Sequence, residues 1–180
     1  MKELKKVKKG FTLIELFLAL ALMSTILAII FSFYIPHQKA LNDTASKSQL
    51  QMDAQTIMQY FSKSALEASR ISSLNSITDT ALLNSKTGEQ NVSELTFSVD
   101  DTAGNSQYTY QYAMEGQKLK YTDSKVSNAV LAEDVNYIKI TPIDKSIGEC
   151  SGVSIKLELI TSDGKIKYDV NNDIYFRNKN

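Results

Sequence analysis

Three hydrophobic rhythms follow one another along the chain. From Leu16 to Ile35 all twenty consecutive positions are uncharged, and most are apolar. At a helical rise of ~1.5 Å per residue the run spans ~30 Å, the hydrocarbon thickness of a bilayer. Backbone groups in lipid must be satisfied within the segment, so a membrane-spanning helix is expected. Further on, Leu50, Ala54, Ile57, Phe61, Ala65 and Ala68 recur at intervals of four, three, four, four and three. Lys47, Gln51, Gln55, Gln59, Ser62 and Lys63 occupy the other face. That spacing predicts an amphipathic helix over 38–70, the outer half of one long helix, packed on a sheet. A cofactor-binding stripe could share the spacing, but core packing explains it more economically. Pro36 stands where the lipid run ends and is expected to kink or interrupt the helix.

Residues 72–89, with Asn75, Asp79, Asn84, Ser85 and Gly88, read as the loop from helix to sheet. The period then becomes two. Leu95, Phe97 and Val99 alternate with polar neighbours; Asp100 to Asn105 reads as a turn; Tyr108, Tyr110 and Tyr112 share one face of the next strand. Glu115-Gly116-Gln117 turns the chain into Leu119 and Tyr121, as in a meander, and 135–141 holds another strand. A last hairpin places Val153, Ile155, Leu157 and Leu159 opposite Ile166, Tyr168 and Val170, joined at Asp163-Gly164, a type I′ turn signal. The expected class is α+β, a long N-terminal helix laid on an antiparallel sheet.

Charge sharpens the picture at the N-terminus. Lys2, Lys5, Lys6, Lys8 and Lys9 crowd the first nine residues against one acid, Glu3. A lysine cluster on one side only of an apolar helix predicts a cytoplasmic N-terminus, with the rest outside. Glu15 is the single charge between Gly10 and Ile35. An ionisable group at membrane depth is costly and usually has a partner. One reading is a carboxylate that snorkels to the interface. In the other, a cut after Gly10 would create a Phe11 α-amine, which a neighbouring copy could present to Glu15. A cleavable secretory signal fits poorly, because the apolar run is long, contains Glu15, and is followed by no small-residue cleavage pattern. A plain signal anchor explains the lysines and the helix but leaves Gly10-Phe11 and Glu15 to chance.

Lys5-Lys6-Val7-Lys8-Lys9-Gly10-Phe11-Thr12-Leu13-Ile14-Glu15-Leu16 resembles the class III signal of type IV prepilins and pseudopilins. The resemblance implies cleavage between Gly10 and Phe11 by prepilin peptidase, N-methylation of Phe11, and a role for Glu15 in registering subunits in a helical fibre. It implies as partners the cytoplasmic membrane, the inner-membrane assembly platform, a major pilin and other minor pilins. It divides the chain into a leader (1–10), a transmembrane and filament-core helix (11–36) and an extracytoplasmic head (37–180). Leu131 to Val135, Tyr137 to Ile140 and the final hairpin ending in Arg177-Asn178 resemble PilW-like minor pilins and the corresponding minor pseudopilins. Pilins of the family often carry a helix-breaking proline earlier than Pro36, and many carry a disulfide-bounded C-terminal loop. Here the single Cys150 cannot form an internal disulfide, and the head must stand on its hydrophobic core.

The full chain carries 20 basic and 20 acidic side chains. Removing residues 1–10 takes five lysines and one glutamate, leaving 15 basic and 19 acidic, a net of −4 before the new amine. A mildly acidic head lacks the electrostatic footprint of a nucleic-acid binder. No catalytic constellation, cofactor motif or metal-ligand spacing is expected. His37 reads as an interfacial residue and Cys150 as an inert thiol. Asp100-Asp101 and Asn171-Asn172-Asp173 read as turn residues rather than calcium ligands. Tyr108, Tyr110 and Tyr112 read as a half-buried strand face before a stacking platform for sugars or single-stranded DNA. The leading expectation is a structural minor pilin or pseudopilin, not an enzyme. Its rival is a tip-located binding module for DNA uptake, adhesion or secretion-substrate recognition.

Overall fold

A computed structural model describes residues 10–100 and 106–177 of the chain. The lysine cluster, most of the turn expected over 100–105 and Asn178 lie outside the described residues. The chain divides into two units, Met1–Thr44 and Ala45–Asn180. The long helix α1 (Leu13–Glu67) supplies the helical part of the first unit and the first element of the second.

In the first unit every described side chain is exposed, including Phe17, Ile26, Phe31 and Ile35. Such a surface suits lipid or other apolar helices, and α1 is long and apolar enough to cross a membrane. The serine and threonine hydroxyls in the run satisfy themselves within the helix. Ser24 and Thr25 both donate to the Ala21 carbonyl at 2.9 Å, and Ser32 donates to Ile29 at 2.7 Å. Helix continues through Pro36, so the expected interruption is absent. Proline removes a single donor, and the bonds on either side of it carry the helix on.

In the second unit α1 buries Leu50, Ala54, Ile57, Phe61 and Ala65, the stripe that the spacing predicts, and ends at Glu67 rather than near residue 70. The segment read as loop over 72–89 is more ordered than expected. It begins inside strand β1 (Arg70–Leu74) and contains a short helix, α2 (Thr80–Asn84), capped by the Asp79 carboxylate, which accepts from Ala81 N at 2.8 Å. The turn after β1 has left-handed Asn75 and Ser76. The Asn75 side chain ties that turn to strand β2 (Gln90–Asn91) and to Ser93 beyond it, donating to Asn91 O at 2.7 Å and accepting from Ser93 N at 2.7 Å.

Seven more strands complete two antiparallel sheets. They are β3 (Glu94–Asp100), β4 (Ser106–Glu115), β5 (Lys118–Thr122), β6 (Ala129–Ala132), β7 (Val135–Ile143), β8 (Gly152–Ile160) and β9 (Lys167–Tyr175). One sheet has the order β1-β3-β4-β5-β6 and the other β2-β7-β8-β9. A single meander was the sequence-based expectation; the chain instead makes one meander in each sheet. Gly116 has φ +63° at the first position of the tight β4–β5 turn, the place where a type II′ hairpin favours glycine. The Asp163-Gly164 turn is not type I′, because only Gly164 there has a positive φ. Gly164 N donates to Thr161 O at 2.7 Å and Thr161 N to Ile166 O at 3.0 Å, closing a longer loop.

An aromatic cluster joins helix and sheets. Phe61 stacks on Tyr112 with ring centres 4.2 Å apart, and Phe97 meets Tyr112 edge-on at 6.0 Å. Phe176, just past β9, reaches Phe97 at 5.9 Å, so the two sheets share one core. The Tyr112 hydroxyl is paired at 2.6 Å with Ser64 of α1, which satisfies both buried groups.

Candidate functional site: the N-terminal signal

The segment that carries the signal is built around a helix start. Gly10, Phe11 and Thr12 precede the first turn of α1 in non-helical backbone. Thr12 is the N-cap. Its carbonyl accepts from Leu16 N at 3.2 Å, and its hydroxyl accepts from Glu15 N at 3.3 Å. Glu15 returns the bond, with Oε2 accepting from Thr12 N at 2.9 Å and from Thr12 Oγ1 at 3.0 Å. This reciprocal arrangement is a capping box, which satisfies amide donors that the first helical turn leaves orphaned. The positive end of the helix dipole favours the carboxylate at the same place.

The anomaly of Glu15 is therefore answered within the chain. Among the described residues, Thr12 is the group that holds the carboxylate. Sequence reasoning missed this partner, although the Thr-x-x-Glu spacing is its signal. Only Oε2 is used; Oε1 makes no hydrogen bond among the described residues. Gly10 is exposed, and a Cβ added there would meet nothing within 4 Å, so the fold makes no demand for glycine at this position. Any such demand comes from a molecule that handles the segment. Phe11 is 89% exposed and contributes nothing to a core.

His37 is exposed on α1. Cys150 is buried, and its thiol donates to Ile147 O at 3.4 Å. Asp100 pairs with Arg70 at 2.9 Å and accepts from Ser98 Oγ at 2.6 Å, while Asp101 lies outside the described residues. Asn171, Asn172 and Asp173 are not turn residues; they sit in mid-strand β9, opposite Lys156, Ile155 and Ser154. Among the described residues no group of three His, Cys, Asp or Glu side chains converges to hold a metal ion. The three tyrosines of β4 form a graded face, with Tyr112 and Tyr110 buried and Tyr108 partly exposed. Burial pushes the Tyr110 phenol well above its usual range, and donation to the Glu67 carboxylate pushes it further.

No curated protein and no solved structure matches the chain. Residues 5–31 match the family model of the prokaryotic N-terminal methylation motif. The match covers Lys5 to Lys9, Gly10, the capping box and the apolar run as far as Phe31, and it does not reach the head or single out one minor-pilin group. The chain thus carries at its N-terminus the class III signal that marks type IV pilin-like and pseudopilin precursors.

Proposed function

We propose that the protein is a minor pilin or pseudopilin, processed between Gly10 and Phe11 by prepilin peptidase and N-methylated on Phe11. Residues 11–36 store the mature chain in the cytoplasmic membrane, with the N-terminus on the cytoplasmic side and 37–180 outside. The inner-membrane assembly platform then passes it into a type IV filament with a major pilin and other minor pilins, where it is built in or primes and caps the fibre. The observation that carries this reading is the methylation motif at 5–31, set on a helical segment whose apolar side chains are all exposed as far as residue 44.

The local geometry supports the chemistry. A non-helical, exposed Gly10-Phe11 bond just ahead of the first helical turn suits a peptidase that must bind backbone in its cleft. Cutting there removes the lysine-rich leader and leaves the Thr12–Glu15 cap intact, because Thr12 keeps its amide N–H. Glu15 Oε1 is then open to accept a neighbour's Phe11 amine while Oε2 stays on its own cap. Function on this reading is assembly, not catalysis.

The test is mass spectrometry of fibres sheared from the cell surface and of membranes from the same cells. A peptide beginning at N-methylated Phe11 in the fibres is the expected result. The same peptide confined to membranes would indicate a short pseudopilus or a priming complex. Uncleaved Met1 in both fractions would overturn the proposal and leave an ordinary anchored protein.

A further inference from the structure

We propose that the head holds a saccharide-binding pocket between α1, the outer end of β4 and the β5–β6 connection. The cavity there measures about 340 Å³, at the lower end of the range for small-ligand sites and of the order of one or two sugar rings. It is a feature of the head alone and does not depend on how the N-terminus is processed.

Its charges cancel. Lys63 of α1 and Lys125 bring two ammonium groups, and Glu67 of α1 and Asp123 bring two carboxylates. The carboxylates are held in place by the protein. Tyr110 donates its hydroxyl to Glu67, and Tyr121 donates to Asp123 at 2.9 Å. Asp123 also accepts from Lys125 N and Val126 N, each at 2.7 Å, which fixes the connection as a turn. Neither ammonium has a carboxylate oxygen within 4 Å among the described residues, and the hydroxyl of Ser124 beside them donates to no neighbour there. The donors of the pocket are thus open while its acceptors are anchored. One wall is aromatic. Tyr108 is 37% exposed and meets Tyr110 edge-to-face at 5.7 Å and 88°, so its ring is held in a fixed orientation.

Ligand classes divide on these facts. A phosphate or a nucleic-acid strand needs surplus positive charge, and this pocket has none. A purely apolar ligand would strip water from four charged groups without replacing their hydrogen bonds. A sugar ring meets both conditions. Each hydroxyl both donates and accepts, so it can serve carboxylate and ammonium at once, while the C–H face of the ring lies on a tyrosine. Because turn and ring are already ordered, binding loses little conformational entropy.

The experiment is saturation-transfer NMR on the full chain in micelles of a detergent without a sugar headgroup. Glucose, galactose and N-acetylglucosamine serve as probes, with the zwitterion betaine as comparison. At least one sugar should bind with a dissociation constant of about 1 mM or tighter. Tyr108→Ser should weaken it by about tenfold or more, and Lys125→Gln by about fivefold, with the thermal midpoint of the head unchanged in both. No signal from any sugar at about 10 mM overturns the proposal. So does sugar binding that survives both variants, or a signal from betaine alone.

Discussion

Replacing Phe61 by alanine removes the ring on which helix and sheets meet. Phe61 is fully buried, stacked on Tyr112 at 4.2 Å and edge-on to Phe97 at 6.3 Å. Neighbours on rigid strands cannot collapse into the space, so the loss should fall in the usual range for a large buried aromatic, about 3–5 kcal/mol. Domains of this size have stabilities of roughly 5–15 kcal/mol, so the variant should fold yet be badly weakened. At about 3–4 °C per kcal/mol, the midpoint of the head should drop by roughly 9–20 °C. The full chain in detergent can be followed by near-ultraviolet circular dichroism, because it has no tryptophan and tyrosines surround the cluster. That signal comes mainly from the head, which holds eight of the nine tyrosines, while a micelle keeps the apolar helix of the first unit folded. Phe31→Ala, at a residue 55% exposed in the first unit, should leave the midpoint within about 2 °C. Phe61→Ala should also still yield methylated Phe11, since the signal is far away in sequence. A drop below about 3 °C would refute the assignment of Phe61 to the centre of the core.

Gly10→Arg should block leader removal, since the resemblance implies a peptidase that accepts no side chain there; a mature-sized product on immunoblots would count against processing at this bond. Glu15→Ala should be cleaved and methylated normally but recovered in sheared fibres at a small fraction of the wild-type level, and undiminished recovery would rule out a registering role. Tyr112 supplies a pH dependence. Burial raises its phenol above the ~10 of an unfolded chain, so its neutral form is favoured by folding. That contribution is complete below pH ~10 and is lost as pH rises beyond it, so the head should unfold in alkali. A tyrosine dichroism signal unchanged at pH ~12, with all nine tyrosines titrated in absorbance, would contradict this.

How much of the fold is legible in the sequence depends on the range of the interactions involved. The stripe from Leu50 to Ala65 and the alternation in β3 and β8 are local and repeat, so period alone finds them. β1 escapes because serines at 72 and 73 break its apolar alternation, although Ser73 is buried. β6 escapes because it is four residues long at a sheet edge, with Val130 facing solvent. Asn171 to Asp173 resemble turn chemistry, yet an edge strand with one exposed side tolerates them. The partition into two sheets is set by pairings distant in sequence, which no short pattern records. At the N-terminus Gly10, Phe11 and Glu15 stand out as chemistry, whereas Thr12 does not. A hydroxyl among apolar residues looks inert until its place at the helix start is known.

The chain enters the two sheets alternately: β1 in the first, β2 in the second, β3 to β6 in the first, β7 to β9 in the second. β2 pairs with Ile140 and Lys139, and Glu89 beside it accepts from Lys139 Nζ at 2.7 Å. These partners are made some fifty residues later. A chain emerging N-terminus first must therefore hold an unpaired β2 and an unfinished core until β7 arrives, and the ring cover of Phe97 begun by Phe61 and Tyr112 is completed only when Phe176 emerges beyond β9. Non-local closure of this kind slows folding and makes it all-or-none. Because the core is shared, the last strand and Phe176 complete the packing of both sheets, which favours cooperative folding of the head over a half-folded state.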